Sequence, residues 1–414
     1  MFSVLTHPAY RRLFTAQVVA LLGTGLLTVA LGLLAFDLAG PDAGAVLGTA
    51  LTIKMVAYVG VAPIVAALIE RLPIKVILVT ADVIRALVAL SLPFLTDIWQ
   101  IYLLVFILQS ASATFTPTFQ AVIPAILPGE KDYTKALSLS RLAYDLEALV
   151  SPIVAAILLT VLSYNNLFLG TALGFMLSAT FVIRTALPAR TQPTTVEKLW
   201  RRTTIGGRIF FQTPSLRFLM LMNLTVGAST ALVLVNTVVY SRDVFGLSNS
   251  SLATALACYG AGSLLVAVNI PRLIDRFGDR YLMLTGGALS TLGLLGSVAM
   301  TIAAPTWANA WWVLLALWAL IGAGNSMIST PSSRLLVRAS TDSTRGYIYT
   351  AQFSLSHACF LITYPLAGWL GAVSLTAAAA TLAVIAAGST IAATRTWNTS
   401  VAKRVRTPTT TAPS

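Results

Sequence analysis

The chain has 414 residues, 57% of them hydrophobic and only 10% charged, with a net charge of +13 and a mean hydropathy of +0.83. Soluble domains carry about 25% charged residues, so no soluble core could hide this much apolar surface, and lipid must be the solvent for most of it. The excess of cations does not mark a nucleic-acid binder, because they lie in short connections between apolar segments and not in a patch with interleaved aromatics.

Met1 to Arg12 is polar and basic and has no Ala-x-Ala cleavage pattern, so the first apolar segment is expected to be retained. A spanning helix needs about 20 apolar residues. Twelve segments meet that need, near 13–36, 45–69, 75–95, 99–122, 134–163, 167–187, 214–240, 249–272, 281–303, 309–333, 345–370 and 374–394. The longest hydrophilic stretch between them, 188–213, lies midway and contains Arg190, Lys198, Arg201, Arg202 and Arg208. Its middle, Val196 to Phe211, reads as an amphipathic helix for the inner leaflet. The tail, 395–414, is basic and then rich in Thr and Pro, a composition that disfavours a packed structure. The expected architecture is an all-α integral membrane protein: a six-helix bundle over 1–187, a linker over 188–213, a second bundle over 214–394, and the tail. Cys258 and Cys359 both fall inside apolar segments, so no disulfide framework is implied.

Lys and Arg set the orientation. With the N-terminus inside, the inner connections hold Arg11, Arg12, Arg71, Lys75, Lys131, Lys135, the linker, Arg272, Arg276, Arg280, Arg334, Arg338, Arg345 and the tail. The outer connections hold one cation, Arg242, together with Asp37, Asp42, Asp97 and Asp243. This asymmetry predicts both ends cytoplasmic, in a bacterial inner membrane, and an even number of spans. Trp99, Trp307, Trp311, Trp312, Trp369 and Tyr164 fall at outer span ends, where an interfacial aromatic belt is expected.

A short cassette occurs once in each half. Glu70-Arg71-Leu72-Pro73-Ile74-Lys75 recurs 205 positions later as Asp275-Arg276-Phe277-Gly278-Asp279-Arg280. Each copy joins two apolar segments, and both fall on the inner side, so the chain reads as a parallel duplication of one six-span unit. Two such halves joined by a basic loop argue for alternating access around a central site. On these residues the chain resembles the major facilitator superfamily over essentially its whole length. The family signature between spans two and three reads Gly-x-Leu-Ala-Asp-Arg-x-Gly-Arg-Lys. The first copy, Ala66 to Lys75, departs from it at Ala66, Glu70, Pro73 and Ile74, and the second copy matches it better. The resemblance implies the major facilitator fold and a gating clamp formed by Glu70, Arg71, Lys75, Asp275, Arg276, Gly278 and Arg280. Within the family the chain is similar to bacterial efflux members of the nickel-resistance and enterobactin-exporter types. Ser356-His357-Ala358-Cys359 and Tyr364-Pro365-Leu366-Ala367-Gly368-Trp369 carry the former likeness. Antiporters of the family often have Gly-Pro with further glycines in span five; here it is Ser151-Pro152, followed by Ala155-Ala156.

Ionisable groups at membrane depth are expensive and therefore functional candidates. Lys54 lies roughly 13 Å into span two at the helical rise. Asp82 and Arg85, in span three, are i and i+3 and can pair. Arg141 and Asp145, in span five, are i and i+4 and can do the same. Either pair can be read as a salt bridge that only eases insertion. Glu147 lies about 200° around its helix from Asp145, so its partner must come from another helix, with Lys54 as the candidate. A buried carboxylate near a cation ionises more readily than one without. Movement of Lys54 or Arg141 on switching would therefore let Asp145 or Glu147 gain or lose a proton and couple transport to the proton gradient.

Polar islands on apolar helices are the candidate cargo contacts: Gln109, Asn223, Tyr259, Asn325 and His357, with weaker signals from nearby Ser and Thr. His357 and Cys359 diverge by about 200°, so one metal ion cannot easily take both. No nucleophile–base pair, phosphate loop or zinc-ligand cluster suggests an enzyme, and no cofactor is called for. The expected function is proton-coupled export of a small organic molecule, drug or metal chelate by a monomer. The alternatives are a nickel or cobalt exporter, a proton-coupled importer, a membrane-embedded enzyme and a non-transporting sensor.

Overall fold

The computed structural model describes residues 2–61, 72–127, 129–187, 199–303, 309–341 and 344–405. All the regular structure in these residues is helical. The first half contains α1 (Pro8–Ala39), α2 (Ala43–Val56, continued by a π turn over Ala57–Val61), α3 (Ile74–Ser91), α4 (Ile98–Ile126), α5 (Glu130–Leu158) and α6 (Asn165–Ile183). The linker forms α7 (Leu199–Gln212). The second half contains α8 (Pro214–Val239), α9 (Asn249–Ala303, broken at Gly278), α10 (Ala310–Ala339), α11 (Arg345–Pro365, continued by a π turn over Leu366–Leu370) and α12 (Leu375–Val405).

Ten stretches of the described residues are long and apolar enough to cross a membrane. One of them, Pro8–Gly60, runs through both α1 and α2, and α5, which carries Arg141, Asp145 and Glu147, is not among the ten. The last helix extends to Val405, beyond the span end expected at 394. The linker helix does not simply lie along lipid. Its Phe210 is fully buried in a cluster with Leu216, Met222, Ile348 and Ala351, and Gly206 lets α7 approach the Tyr347 carbonyl too closely for any side chain.

The apolar core is distributed unevenly. At the end away from the linker, one cluster draws on both halves: Leu26 to Ala35 and Ala43 to Met55 from the first, Ala228 to Tyr240 and Leu252 to Leu256 from the second. At the linker end each half keeps its own cluster, one around Tyr10, Leu13, Leu78 and Phe119, the other around Phe218, Met283 and Leu336. The halves are therefore joined at the far end, and among the described residues no apolar cluster joins them toward the linker.

Close backbone approach makes the far-end seam tight. Gly48 of α2 faces Gly368 of the α11 π turn, and a Cβ on Gly48 would stand 2.8 Å from the Gly368 Cα and from the Tyr364 carbonyl. Trp369 belongs to this seam as well as to the aromatic belt, because its Nε1 donates to Thr49 Oγ1 at 3.0 Å. The guanidinium of Arg242 lies 5.4 Å from the Phe36 ring centroid, a further contact between the halves.

Candidate functional site

Between the halves lies a cavity of about 660 Å³. Six of the sequence candidates, Lys54, Arg85, Gln109, Glu147, Tyr259 and His357, line it. The offset of 205 that relates the two cassettes also relates Lys54 to Tyr259, so duplication has placed a cation and a phenol at equivalent positions on facing walls. Lys54 comes from the last turn of α2 and Glu147 from α5, and the two interact through their charges. Lys54 also acts electrostatically on His357 of the other half.

Gly25 brings α1 against this corner. A Cβ there would collide with Ser151 and come within 2.9 Å of Glu147 Oε1. Where the family pattern has Gly-Pro, this chain has Ser151-Pro152, and the missing side chain is on α1 instead.

Arg85 is held from three sides. It pairs with Asp82 one turn earlier, and its guanidinium lies 4.3 Å from the Phe115 centroid and 4.4 Å from that of Phe175. Both Asp82 and Arg85 are buried. The intrahelical pair expected from the i, i+3 spacing thus exists, and two aromatic faces add to it.

Across the cavity, Tyr58 stacks on His357 with centroids 5.5 Å apart and planes 10° from parallel. Phe353 packs against the same imidazole at 4.2 Å, and its carbonyl lies 2.7 Å from Nδ1. A carbonyl only accepts, so Nδ1 carries the proton in that bond and Nε2 is the ring's free nitrogen. Tyr58 is i+4 from Lys54, and Phe353 is i−4 from His357. That spacing, read in the sequence, would have put both on the cavity faces of their helices. Sequence reasoning also missed Gln17, Gln120 and Tyr144, which line the first-half wall with Thr116, one of the weaker Ser and Thr signals.

Two cargo candidates sit elsewhere. Asn325 is buried behind the cavity wall, where its Oδ1 accepts from Ser229 at 2.8 Å and Ser290 at 3.1 Å. Its Nδ2 donates to Thr230 at 3.0 Å and to the Tyr259 hydroxyl at 3.2 Å. Asn325 therefore fixes two lining residues without lining the cavity itself. Asn223 donates to Gln352 Oε1 at 3.2 Å, which ties α8 to α11. The side chains of Arg141 and Asp145 lie outside the described residues, as do Glu70, Arg71 and Trp307.

The second cassette departs from expectation in one respect. Asp275 and Arg276 are exposed, and the carboxylate that joins helix ends is Asp279. Gly278 has φ 77°, a conformation open to Gly, and the turn it makes buries the next residue. Asp279 pairs with Arg338 at 2.5 Å and Arg334 at 3.4 Å, both on α10. The terminal cations of the two cassettes do matching work: Lys75 Nζ donates to the Ile183 carbonyl at 3.0 Å, and Arg280 Nη2 to that of Thr394 at 3.2 Å. Each ties its cassette to the last helix of its own half. Outside the spans, Lys135 donates to Asp132 at 2.9 Å, and this bond with the lysine charge holds the carboxyl below its ordinary range.

The sequence model of the Major Facilitator Superfamily matches residues 13–303 and 242–413. An uncharacterized MFS-type transporter, YfiS of Bacillus subtilis, is 27% identical over 255 residues, 56% of this chain and 59% of that protein. Macrolide efflux protein A of Enterococcus faecalis is 27% identical over 152 residues, 34% of this chain and 47% of the relative. The chain thus matches about half the length of these relatives. Among solved structures, the nucleoside transporter NupG superposes with a TM-score of 0.70 at 12% identity, covering 94% of this chain and 99% of that one. A POT family transporter in complex with a thioalcohol-conjugated peptide gives a TM-score of 0.69 at 14% identity, covering 92% and 95%. At such identities the likeness is one of fold.

Proposed function

This chain belongs to the Major Facilitator Superfamily and is a multi-pass membrane transporter, and from that premise we propose that it exports a drug-sized amphipathic organic molecule in exchange for protons. Twelve spans, both termini and the linker on the cytoplasmic side of a bacterial inner membrane, and rocking of one half against the other complete the reading. The observation that carries it is the central cavity in which Glu147 faces Lys54. A carboxylate and an ammonium that share one cavity form a site whose proton load depends on whether the cation stays in place. Cargo that displaces Lys54 from Glu147, or a rocking movement that parts them, exchanges protonation for occupancy.

The walls suit an amphipathic cargo. Tyr58, Phe115, Tyr144, Tyr259 and Phe353 offer aromatic faces, while Gln17, Gln109, Thr116 and Gln120 offer hydrogen bonds. Similarity to macrolide efflux proteins supports the outward direction and the size class. The apolar seam that joins the halves at the far end corresponds, in this reading, to the state that takes up cargo from inside. A metal cargo is disfavoured because the two ligand-type side chains part company. His357 stacks on Tyr58 in the cavity, whereas buried Cys359 packs against Gly227 of α8.

The test is transport in everted vesicles with an imposed pH gradient, over a panel of macrolides, lipophilic cations, siderophores and Ni²⁺. Gradient dissipation by a macrolide or lipophilic cation, lost in Glu147→Gln, is the expected result. A response to Ni²⁺ alone would replace the organic cargo with a metal. Undiminished proton-driven transport in Glu147→Gln would remove the coupling role.

A further inference from the structure

The second cassette borders a crevice of about 630 Å³ at the linker end, separate from the central cavity. Its charged lining is Asp275, Asp279, Arg280, Arg334 and Arg338, and Phe277 and Tyr281 complete one side. The Asp279 side chain is 6% exposed, whereas those of Arg334 and Arg338, which it holds, are 45% and 63% exposed. One buried carboxylate therefore positions two accessible guanidiniums. Each guanidinium has five N–H donors, so most remain after Asp279 is served. Three arginines against the two carboxylates Asp275 and Asp279 leave the crevice with an excess of positive charge, which suits a bridging phosphate.

The aromatic side of the crevice points to the source of that phosphate. Phe277 and Tyr281 stack with centroids 5.7 Å apart, both largely exposed, and the Arg276 guanidinium lies 5.3 Å from the Phe277 ring. Exposed aromatics beside arginines suit the membrane–water interface, and basic pockets between spans at that level attract anionic headgroups. A soluble phosphate would use the arginines but would leave the rings in water.

We propose that this crevice binds the phosphodiester headgroup of an anionic phospholipid, with Arg334 and Arg338 on the phosphate and Phe277 and Tyr281 against the glycerol and first acyl carbons. The site needs only that the chain be embedded in a membrane, and it stands whatever the cargo is.

Native mass spectrometry of the detergent-solubilised full chain tests it, with phosphatidylglycerol and phosphatidylcholine of equal acyl length as probes. Wild type is expected to retain one phosphatidylglycerol in preference to phosphatidylcholine. Arg334→Gln with Arg338→Gln should weaken that retention on the order of 25-fold, taking about fivefold per arginine at a membrane surface. Because this pair of changes strands the Asp279 carboxylate, the triple variant that adds Asp279→Asn provides a neutral, folded comparison and should lose retention equally. Tyr281→Ala should weaken lipid retention and leave the arginines in place. Equal retention of the two lipids by wild type, or undiminished phosphatidylglycerol retention in the triple variant, would overturn the proposal. Displacement of the lipid by millimolar inorganic phosphate, with Tyr281→Ala neutral, would assign the site to a soluble anion and overturn the lipid.

Discussion

Tyr58 and His357 lie ring on ring, and one comes from each half of the transporter. The π turn over Ala57–Val61 carries Tyr58 past the end of regular α2, and such turns are frequent at functional sites. In the proposed rocking, the pair is a contact between the two moving halves. Tyr58→Leu keeps the bulk and removes the stacking. An aromatic pair contributes about 1 kcal/mol beyond its buried area, so the variant should shift the conformational equilibrium away from the state described here by roughly fivefold. Accessibility of single cysteines on the linker-end faces to a membrane-impermeant thiol reagent reads that shift, and an unchanged pattern would show that the stack does not hold this state.

Glu147 and Lys54 should be coupled in stability as well as in transport. Lys54→Met leaves the half-buried Glu147 carboxylate without the cation that acts on it, so the variant should melt lower than wild type. Adding Glu147→Gln removes the stranded charge, so the double variant should melt higher than Lys54→Met alone. Melting curves in detergent give the comparison, and strict additivity of the two changes would mean that the charges do not act on one another.

Gly25 should tolerate no side chain while Ser151 stands opposite. Gly25→Ala drives a Cβ into Ser151, and overpacking of this kind costs about 1–3 kcal/mol. Ser151→Gly removes the colliding atoms and should recover most of the loss in thermal stability and transport. Failure of Ser151→Gly to rescue would place the strain elsewhere.

Asn325→Ala removes the four hydrogen bonds to Ser229, Ser290, Thr230 and Tyr259. At about 0.6 kcal/mol each within a membrane protein, the expected loss is about 2–3 kcal/mol. Because Tyr259 and Thr230 line the cavity, KM for transported compounds should rise as well. Asn325→Asp replaces the donor by an acceptor, to which the Thr230 and Tyr259 hydroxyls can donate, so KM should rise less than with alanine if Tyr259 is the residue being positioned.

Much of the architecture was legible because lipid leaves a simple record. Long apolar segments, a recurring cassette and a charge asymmetry between connections each reflect one physical constraint. The depth of Lys54 and Glu147 was readable in the same way, since both are counted from span ends. What escaped depends on neighbours from other helices. Nothing within α3 announces that Phe115 and Phe175 flank Arg85. Asn325 had the polarity of a cavity residue, but a single helix does not reveal whether a polar face meets water or the hydroxyls of Ser229 and Ser290. The signature's carboxylate is Asp275, and only the backbone turn at Gly278 makes Asp279 the buried one.

The apolar cluster shared by both halves has a consequence for ion leakage. A proton or cation crossing the protein in this state would have to wet a contiguous core running from Val29 and Leu34 on one side to Val235 and Leu252 on the other. Moving a bare charge through such apolar packing costs far more than thermal energy supplies. In the proposed alternating-access cycle, that cluster would insulate the membrane potential at one end. A polar substitution such as Val235→Asn would spoil that insulation before it altered what the cavity binds.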